Sequence, residues 1–418
     1  MTSDVIIVFL SMCIVVSYAY GEIAKRTNIP SVLLLIITGI IIGQVLPLYP
    51  ELNINFMPAL EILGKIGLIM IVLEGALDLE LTKEKRPLIY KATIIATIGI
   101  IGSIVTIGGL FYYLLDMPLK LAVLYATPLA VISSAIVIPS INNLANQEKE
   151  FLIYESCISD ILGIMVFYLA LNMVESGNMI GSLGDFSLKL LLTLVMSVVI
   201  GIGLILLFKF LETKVKLFFF ISILILIFAL GKILHLSSLI LILAFGLFLR
   251  NHQLIFRGPL GGLMSRMEFV KMEKDFHIIT RETAFILRTF FFIVFGITID
   301  VGSLLDVSVL LISIMSFVLI ILVRFLMLNT MAKNLKKVVQ FVAPRGLITV
   351  LLFYSIPAGL FFEGFEPGII LYIILITSLY MSYGLITNST AKDSKIEKEE
   401  VDEEDSTQGE IAEEPTGA

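Results

Sequence analysis

Long apolar runs alternate with short polar connections along nearly the whole chain. Most of these runs are long enough to cross a hydrocarbon core about 30 Å thick as an α-helix. A membrane β-barrel would instead show alternating polarity in pieces of about ten residues. The pattern therefore predicts an all-α polytopic membrane protein with about thirteen transmembrane helices. The predicted segments are residues 4–20, 30–46, 58–79, 88–115, 119–144, 150–174, 186–210, 216–233, 236–250, 280–299, 303–330, 336–362 and 367–388.

The composition agrees with this class of protein. Hydrophobic residues make up 58% of the chain and charged residues 15%, whereas soluble domains average about 25% charged residues. Residues 391–418 are an exception, because they hold eleven acids against three lysines and few apolar residues. Such a stretch cannot bury enough surface to fold, so we expect an acidic, disordered cytoplasmic tail.

Lysine and arginine occur in alternate connections, which allows the membrane orientation to be predicted. Lys25 and Arg26 are typical of one set, whereas the opposite set carries acids such as Glu51, Asp116 and Asp185. Loops rich in Lys and Arg remain on the cytoplasmic side. The pattern predicts a multi-pass protein of the cell membrane (inner or plasma), with its N-terminus outside and its C-terminus in the cytoplasm.

The segment count also suggests internal symmetry. Six crossings precede the seventh segment and six follow it, as in transporters built from two inverted repeats. Residues 251–279 are too charged to span a membrane but amphipathic, so they are predicted to form a cytoplasmic surface helix that joins two halves.

The run from Glu155 to Asp160 places two acids inside an apolar segment. An ionised side chain at bilayer depth costs about 2.5–3.5 kcal/mol on insertion scales, so such an acid marks a functional site by default. On a helix, Glu155 and Ser159 share one face, and Ser156 and Asp160 share a neighbouring face. Together they form one polar wedge. The alternative is that the two acids only join helices to one another.

The preceding segment, 119–144, contains two prolines, with Thr127, Ser133 and Ser134 close to them. A proline inside a helix frees backbone groups that hydrocarbon cannot satisfy, so the segment must be covered by protein or line a wet cavity. This pattern predicts a broken helix, and the ends of half-helices commonly bind cations. A simple proline kink with packing serines is the alternative.

Two arginines also lie within apolar segments. Arg345 is too deep to reach the cytoplasmic surface easily and requires an anionic partner, for which Glu155 and Asp160 are the candidates. Arg324 lies nearer the cytoplasmic end of its segment, where an extended side chain can reach water.

Glu74 and Asp78 lie one turn apart near the inner end of the third segment. They are candidates for the cytoplasmic mouth of a cation pathway. The alternative is an interfacial cap with no role in transport.

Four short motifs occur in a specific order along the chain. They are Thr38-Gly39-Ile40-Ile41-Ile42-Gly43, the run Glu155 to Asp160, the stretch from Phe291 to Asp300 with Gly296, and Arg345-Gly346 with Pro357. Over nearly all of residues 5–390 the chain resembles the monovalent cation:proton antiporters, and the second motif is similar to the Glu-Ser-Leu-Leu-Asn-Asp signature of their sodium/proton exchanger branch. Ser159 stands where that branch usually has Asn in electroneutral members and Asp in electrogenic ones. Residues 131–135 look more like the potassium-efflux branch.

This resemblance implies a transmembrane exchanger domain, residues 1–390, that forms a homodimer. A mobile core domain would include the helices near 88–174 and 303–388, and the dimerisation helices would lie mainly within 30–79 and 186–250. The core would hold two crossed discontinuous helices, within an inverted repeat of six-helix units.

The resemblance also implies roles for individual residues. Asp160 would bind the proton or the cation, Na⁺ or K⁺, and Glu155 would form a structural ion pair with Arg345. Ser156 and main-chain oxygens near Ser133 would complete the coordination. The candidate cation- or proton-binding residues are Asp160, Ser156, Ser159, Ser133, Ser134 and Thr127.

These observations predict a secondary transporter in the lipid bilayer. A partly dehydrated carboxylate favours its protonated form, so a proton and a cation would compete for Asp160. We expect electroneutral one-for-one exchange by an elevator motion, with Na⁺ or Li⁺ as first choice and K⁺ as second, since hard cations prefer oxygen ligands. The alternatives are a gated K⁺ channel or efflux pathway, and an organic-anion symporter that uses Arg345 to hold a carboxylate. No enzymatic activity, cofactor or nucleic-acid partner is expected.

Overall fold

The structure, a computed structural model, is helical and contains no strand in the parts of the chain that it describes. The acidic stretch 391–418 lies outside those parts, so the disordered tail stays a prediction. The described residues are 3–27, 29–48, 57–141, 144–176, 179–210, 217–233, 238–251, 266–299, 302 and 306–388.

Helices are the expected solution for such apolar segments, because a helix satisfies its backbone hydrogen bonds within itself where no water is present. The helices are α1 (Ser3–Thr27), α2 (Ser31–Val45), α3 (Met57–Asp78), α4 (Arg86–Leu114), α5 (Leu119–Ala130), α6 (Ser134–Ser140), α7 (Asn146–Ser176), α8 (Met179–Phe210), α9 (Leu217–Ile233), α10 (Ser238–Arg250), α11 (Arg266–Thr298), α12 (Val307–Met331), α13 (Val338–Phe341), α14 (Leu347–Phe353) and α15 (Gly368–Asn388).

Every predicted segment contains helix, which confirms the all-α polytopic architecture. Large apolar side chains remain exposed along α8 and α12, as expected for surfaces that face lipid. Seven stretches of the described chain are long and apolar enough to span a membrane: Ser31–Leu48, Arg86–Leu114, Leu119–Ser140, Asn146–Ser176, Gly184–Gly203, Val307–Met331 and Gly368–Asn388.

Helix α11 differs from the sequence prediction. Residues 251–279 are predicted as a separate surface helix. Residues 252–265 lie outside the described chain, and residues 266–279 form the first part of α11, which continues to Thr298. Their charges have partners on neighbouring helices: Glu273 accepts from Arg250 at the end of α10, and His277 contacts Asp78 at the end of α3. This part of α11 therefore packs against other helices despite its charge.

Two of the glycine-containing motifs meet where α2 packs against α11. A Cβ atom added at Gly39 would clash with the carbonyl oxygen of Ile293, and one added at Gly43 would lie 2.9 Å from the carbonyl oxygen of Ile297. Gly296 faces Gly39 across this contact. Small residues let the backbones of membrane helices approach closely, and these glycines have that effect here.

The fifth and twelfth predicted segments are each divided into two short helices, and the residues between the halves cross. The backbone is extended at Ser133, before α6, and the Ser133 N–H donates to the carbonyl oxygen of Pro344, before α14, at 3.0 Å. A Cβ atom added at Gly346 would lie 2.8 Å from the Ser133 hydroxyl oxygen, so the crossing leaves no room for a side chain there. The broken segments lie seven segments apart, the offset expected for two inverted six-helix units separated by one helix.

Two groups of helices surround this crossing. Helix α4 packs against α5, α7 and α12, whereas α3 packs against α10 and α11, and α11 packs against α2. Helices α6, α7 and α14 contact α3, so the crossing lies between the two groups. Their assignment as core and dimerisation domains stays a prediction.

Candidate functional site

Asp160, on α7, faces the start of the half-helix α6. The Ser134 N–H donates to the Asp160 Oδ2 atom at 3.3 Å, and the Ser134 hydroxyl donates to the same oxygen. The first N–H groups of a helix lack partners within the helix, and one of them is used here. The Oδ1 atom of Asp160 is buried and has no hydrogen-bond partner among the described residues. One carboxylate oxygen is thus held while the other is open to a proton or a cation.

The other candidate hydroxyls whose bonds are described have partners other than Asp160. The Ser159 hydroxyl oxygen accepts the Ile132 N–H at 3.0 Å, which attaches the extended residues between α5 and α6 to α7. Ser156 and Thr127 are buried, and their hydroxyls donate to carbonyl oxygens of their own helices, at 3.2 and 2.7 Å. Ser133 contributes its backbone N–H to the crossing.

The predicted ion pair between Glu155 and Arg345 is wrong, because Glu155 pairs with Arg324. The two Arg324 Nη atoms lie 2.9 and 3.2 Å from the two Glu155 carboxylate oxygens. Arg324 also donates to the carbonyl oxygen of Val339, from Nη2 at 2.7 Å and from Nε at 3.2 Å. Its side chain is 3% exposed, so it does not extend to the membrane surface as the sequence suggested.

Arg345 instead donates to backbone carbonyl oxygens at the break of the fifth segment. Its Nε lies 2.8 Å from the Leu129 oxygen and its Nη2 lies 3.2 Å from the Ala130 oxygen, while Nη1 lies 2.7 Å from the Ala343 oxygen. The last carbonyl groups of a helix have no partner within it. Arg345 therefore satisfies the end of α5 as well as its own unwound segment, with a bond from each of its three side-chain nitrogen atoms.

Glu74 and Asp78 both face α11 rather than standing free. Glu74 lies 3.2 Å from Arg288. Asp78 lies 2.8 Å from the His277 Nε2 atom and 3.7 Å from Arg281. The two acids of α3 are thus matched by basic side chains from one helix.

Two cavities lie near the crossing. A cavity of about 270 Å³ lies among α1, α2, α6 and α11, and its lining includes Ala135, Ser140 and Arg288. A second, of about 20 Å³, is lined by Glu155 and Ser159 among others, and it is large enough for one water molecule.

Sequence reasoning missed three contacts of this site. It did not identify Arg324 as the partner of Glu155, Arg288 as the partner of Glu74, or Thr377, whose hydroxyl oxygen accepts the Arg345 N–H at 3.0 Å. In the sequence, each of these three residues lies within or beside an apolar segment. That position does not show which residue it contacts.

The chain is similar to known proteins along most of its length. The model of the family described as "Sodium/hydrogen exchanger, transmembrane" matches residues 10–387. A curated relative, Na(+)/H(+) antiporter 1 of Methanocaldococcus jannaschii, is 29% identical over 161 residues, which are 38% of this chain and 37% of that protein. The match thus spans little more than a third of the relative.

Two solved structures of the sodium proton antiporter MjNhaP1 from the same organism share the fold. One, at pH 8, covers 93% of this chain and all of its own, with a TM-score of 0.64 and 21% identity. The other, from electron microscopy, covers 93% of this chain and 96% of its own, with a TM-score of 0.65 and 20% identity.

Proposed function

Because the chain belongs to the sodium/hydrogen exchanger family, whose members are transporters and not enzymes, we propose that it exchanges a monovalent cation for a proton across the membrane. One observation carries the proposal. Asp160 presents a buried carboxylate oxygen that has no hydrogen-bond partner in the described chain, while Ser134 holds the other oxygen. A buried acid of this kind must be protonated or bind a cation.

The charges around the crossing support one-for-one exchange. Glu155 is neutralised by Arg324, and Asp160 forms no ion pair with the described basic residues. Asp160 is then the single exchangeable acid, and it carries either one proton or one cation in each direction. Exchange is electroneutral under this mechanism. Na⁺ or Li⁺ is the first choice of cation because hard cations prefer oxygen ligands, and K⁺ is the second.

We take the candidate oxygen ligands from two elements, the broken helix and the helix that carries Asp160. The Ser134 hydroxyl and the main-chain oxygens of residues 131–133 lie on the side of the broken helix, and Ser156 and Ser159 share the helix of Asp160. Ser133 and Thr127 complete the candidate set. Arg345 has a supporting role, since its positive charge lies against the carbonyl oxygens at the end of α5.

Transport requires that Asp160 face the two sides of the membrane in turn, and we propose an elevator motion of the crossing helices relative to α2, α3 and α11. The protein would work in the cell membrane as a homodimer, with its N-terminus outside and its C-terminus in the cytoplasm. The exposed apolar face of α8 is one surface available for dimer contacts. The organic-anion symporter is less favoured, because Arg345 already donates to three carbonyl oxygens.

The test is proton flux in liposomes that contain the purified protein. A pH gradient is imposed, and Na⁺, Li⁺ or K⁺ is added to the wild type and to Asp160→Asn. Asp185→Asn serves as a matched control, because Asp185 is an exposed acid at the start of α8 that pairs with Lys189. We expect one or more cations to collapse the gradient in the wild type and the control, but not in Asp160→Asn.

Two other outcomes would contradict the proposal. Cation flux without proton movement would favour a K⁺ channel or efflux pathway. A rate that changes with an imposed membrane potential would contradict electroneutral exchange.

A further inference from the structure

Arg288 joins three helices close to the Asp160 site. It lies on α11, and its Nη2 atom lies 3.2 Å from the Glu74 carboxylate of α3. Its Nη1 atom donates to the carbonyl oxygen of Ala135, in α6, at 3.3 Å. Ala135 directly follows Ser134, which holds the Asp160 carboxylate. A guanidinium from α11 is therefore attached to the half-helix that positions the candidate binding site.

The contact belongs to a charge ladder between α3 and α11. Asp78 pairs with His277 and Arg281, and we call this set the outer rung. Four residues earlier on α3, Glu74 pairs with Arg288, and we call this pair the inner rung. The two acids are similarly buried, with exposures of 15% for Asp78 and 13% for Glu74. The two arginines differ, because the Arg281 side chain is 60% exposed and that of Arg288 is 15% exposed. Solvent therefore screens the charge of Arg281, in the outer rung, more than that of Arg288, in the inner rung.

Arg288 also lines the cavity of about 270 Å³ beside α6. The same cavity is lined by Ala135 and by Ser140 at the other end of α6. If the transported cation enters from this cavity, it passes the Arg288 guanidinium beside α6. In a partly enclosed place this like charge opposes the passage of the cation.

We propose that Arg288 is a displaceable counter-ion of Glu74 that controls access of the transported cation to Asp160 from this cavity. The inference rests on the proposed exchange function. In the state described here Arg288 neutralises Glu74 and ties α6 to α11. An incoming cation replaces Arg288 at Glu74, so the carboxylate stays neutralised, while the bond to Ala135 is released and α6 is free to move with the core. Arg288 is a positioning residue in this scheme, because it acts through Glu74 and α6.

The test separates cation access from turnover in the liposome assay. We expect Arg288→Gln to lower the KM for the cation at least about threefold, because the opposing charge is removed. Arg288→Lys keeps the positive charge but not the two-pronged geometry of the guanidinium, so its KM should stay closer to the wild-type value than that of Arg288→Gln. Arg281→Gln is the matched control, since it removes an arginine from the same face of α11 at the screened outer rung, and its KM should stay within about twofold of the wild type.

The Glu74→Gln background provides a second comparison in case Arg288→Gln, which strands a carboxylate, does not assemble. Glu74→Gln alone should raise KM, and adding Arg288→Gln should lower it again, because the opposing charge is then gone without leaving an unpaired acid.

The inference is overturned if removal of Arg288 leaves KM unchanged or raises it in both backgrounds, or if Arg281→Gln has the same effect. If the wild type exchanges no cation for protons, the proposed function itself fails, which is a separate result.

Discussion

The pairing of Glu155 with Arg324 predicts a definite pattern of energetic coupling. Arg324→Gln removes both bonds to the Glu155 carboxylate, whose side chain is 1% exposed, and the donors to the Val339 carbonyl oxygen. Removing one member of a buried ion pair leaves the other charge uncompensated and lowers the free energy of unfolding by about 3–5 kcal/mol. Glu155→Gln should have a smaller effect, because Arg324 keeps its bonds to Val339.

The double variant distinguishes this pair from the one that the sequence suggested. With Arg324 absent, Glu155→Gln removes a stranded charge instead of creating one. Glu155→Gln/Arg324→Gln should therefore be more stable than Arg324→Gln alone, with a coupling energy of about 2 kcal/mol. Arg345 donates to backbone carbonyl oxygens, so Glu155→Gln/Arg345→Gln should show a coupling energy below about 1 kcal/mol.

Unfolding can be followed in detergent without engineered probes. The chain contains no tryptophan, so loss of helix by circular dichroism would give the global transition. Cys157 is buried two residues from Glu155, and its reaction with a thiol reagent would report opening of the site. A larger coupling with Arg345 than with Arg324 would refute the assignment of the pair.

Three further predictions concern the crossing and the carboxylate. Ser134→Ala should raise the KM for the cation by about ten- to a hundredfold, since a hydrogen bond to a charged group contributes about 1.5–3 kcal/mol, and Ser134→Thr should restore it. Gly346→Ala should reduce the yield of assembled protein in size-exclusion chromatography, because the added Cβ meets Ser133 and Ile136, whereas Gly359→Ala has open space and should assemble normally. Lowering the pH should raise the KM for the cation without changing the rate at saturating cation, because both ligands compete for Asp160; a fall in the saturated rate alone would argue for separate sites.

The broken helix could be predicted from the residues of its own segment, and its approach to Asp160 was implied by the family resemblance. In a segment as apolar as 119–144, two prolines and paired serines are unfavourable unless other parts of the protein cover the backbone. All of these residues lie within the segment itself, so the break can be predicted without knowing the tertiary fold. The structure divides the segment between Ala130 and Ser134 and brings Ser134 to Asp160. The presence of helix in every predicted segment was equally accessible, because the length of a membrane span is fixed by the bilayer and not by the tertiary fold.

The partners of the buried charges could not be predicted in the same way. Arg324 and Arg345 both lie in apolar segments, and either could serve one acid. Which arginine pairs with Glu155 depends on which guanidinium donates to the unpaired carbonyl groups instead. The way in which the two unwound segments cross determines this. The charged start of α11 was misjudged for a related reason: His277 and Arg281 indicate a surface helix until the acids of α3 are placed opposite them.

The separate roles of the two arginines bear directly on the proposed exchange. If Arg345 neutralised Glu155, the carbonyl oxygens at the end of α5 would lose their donors at the place where a cation is to bind. In the structure Arg324 pairs with Glu155, and Arg345 donates to the carbonyl groups. Both interactions therefore persist when Asp160 exchanges a proton for a cation. The remaining variable charge is that of Asp160, and a proton or a monovalent cation neutralises it equally. Under this mechanism the site has the same net charge with a bound proton as with a bound cation when it crosses the membrane. This equality is the physical basis for expecting electroneutral exchange.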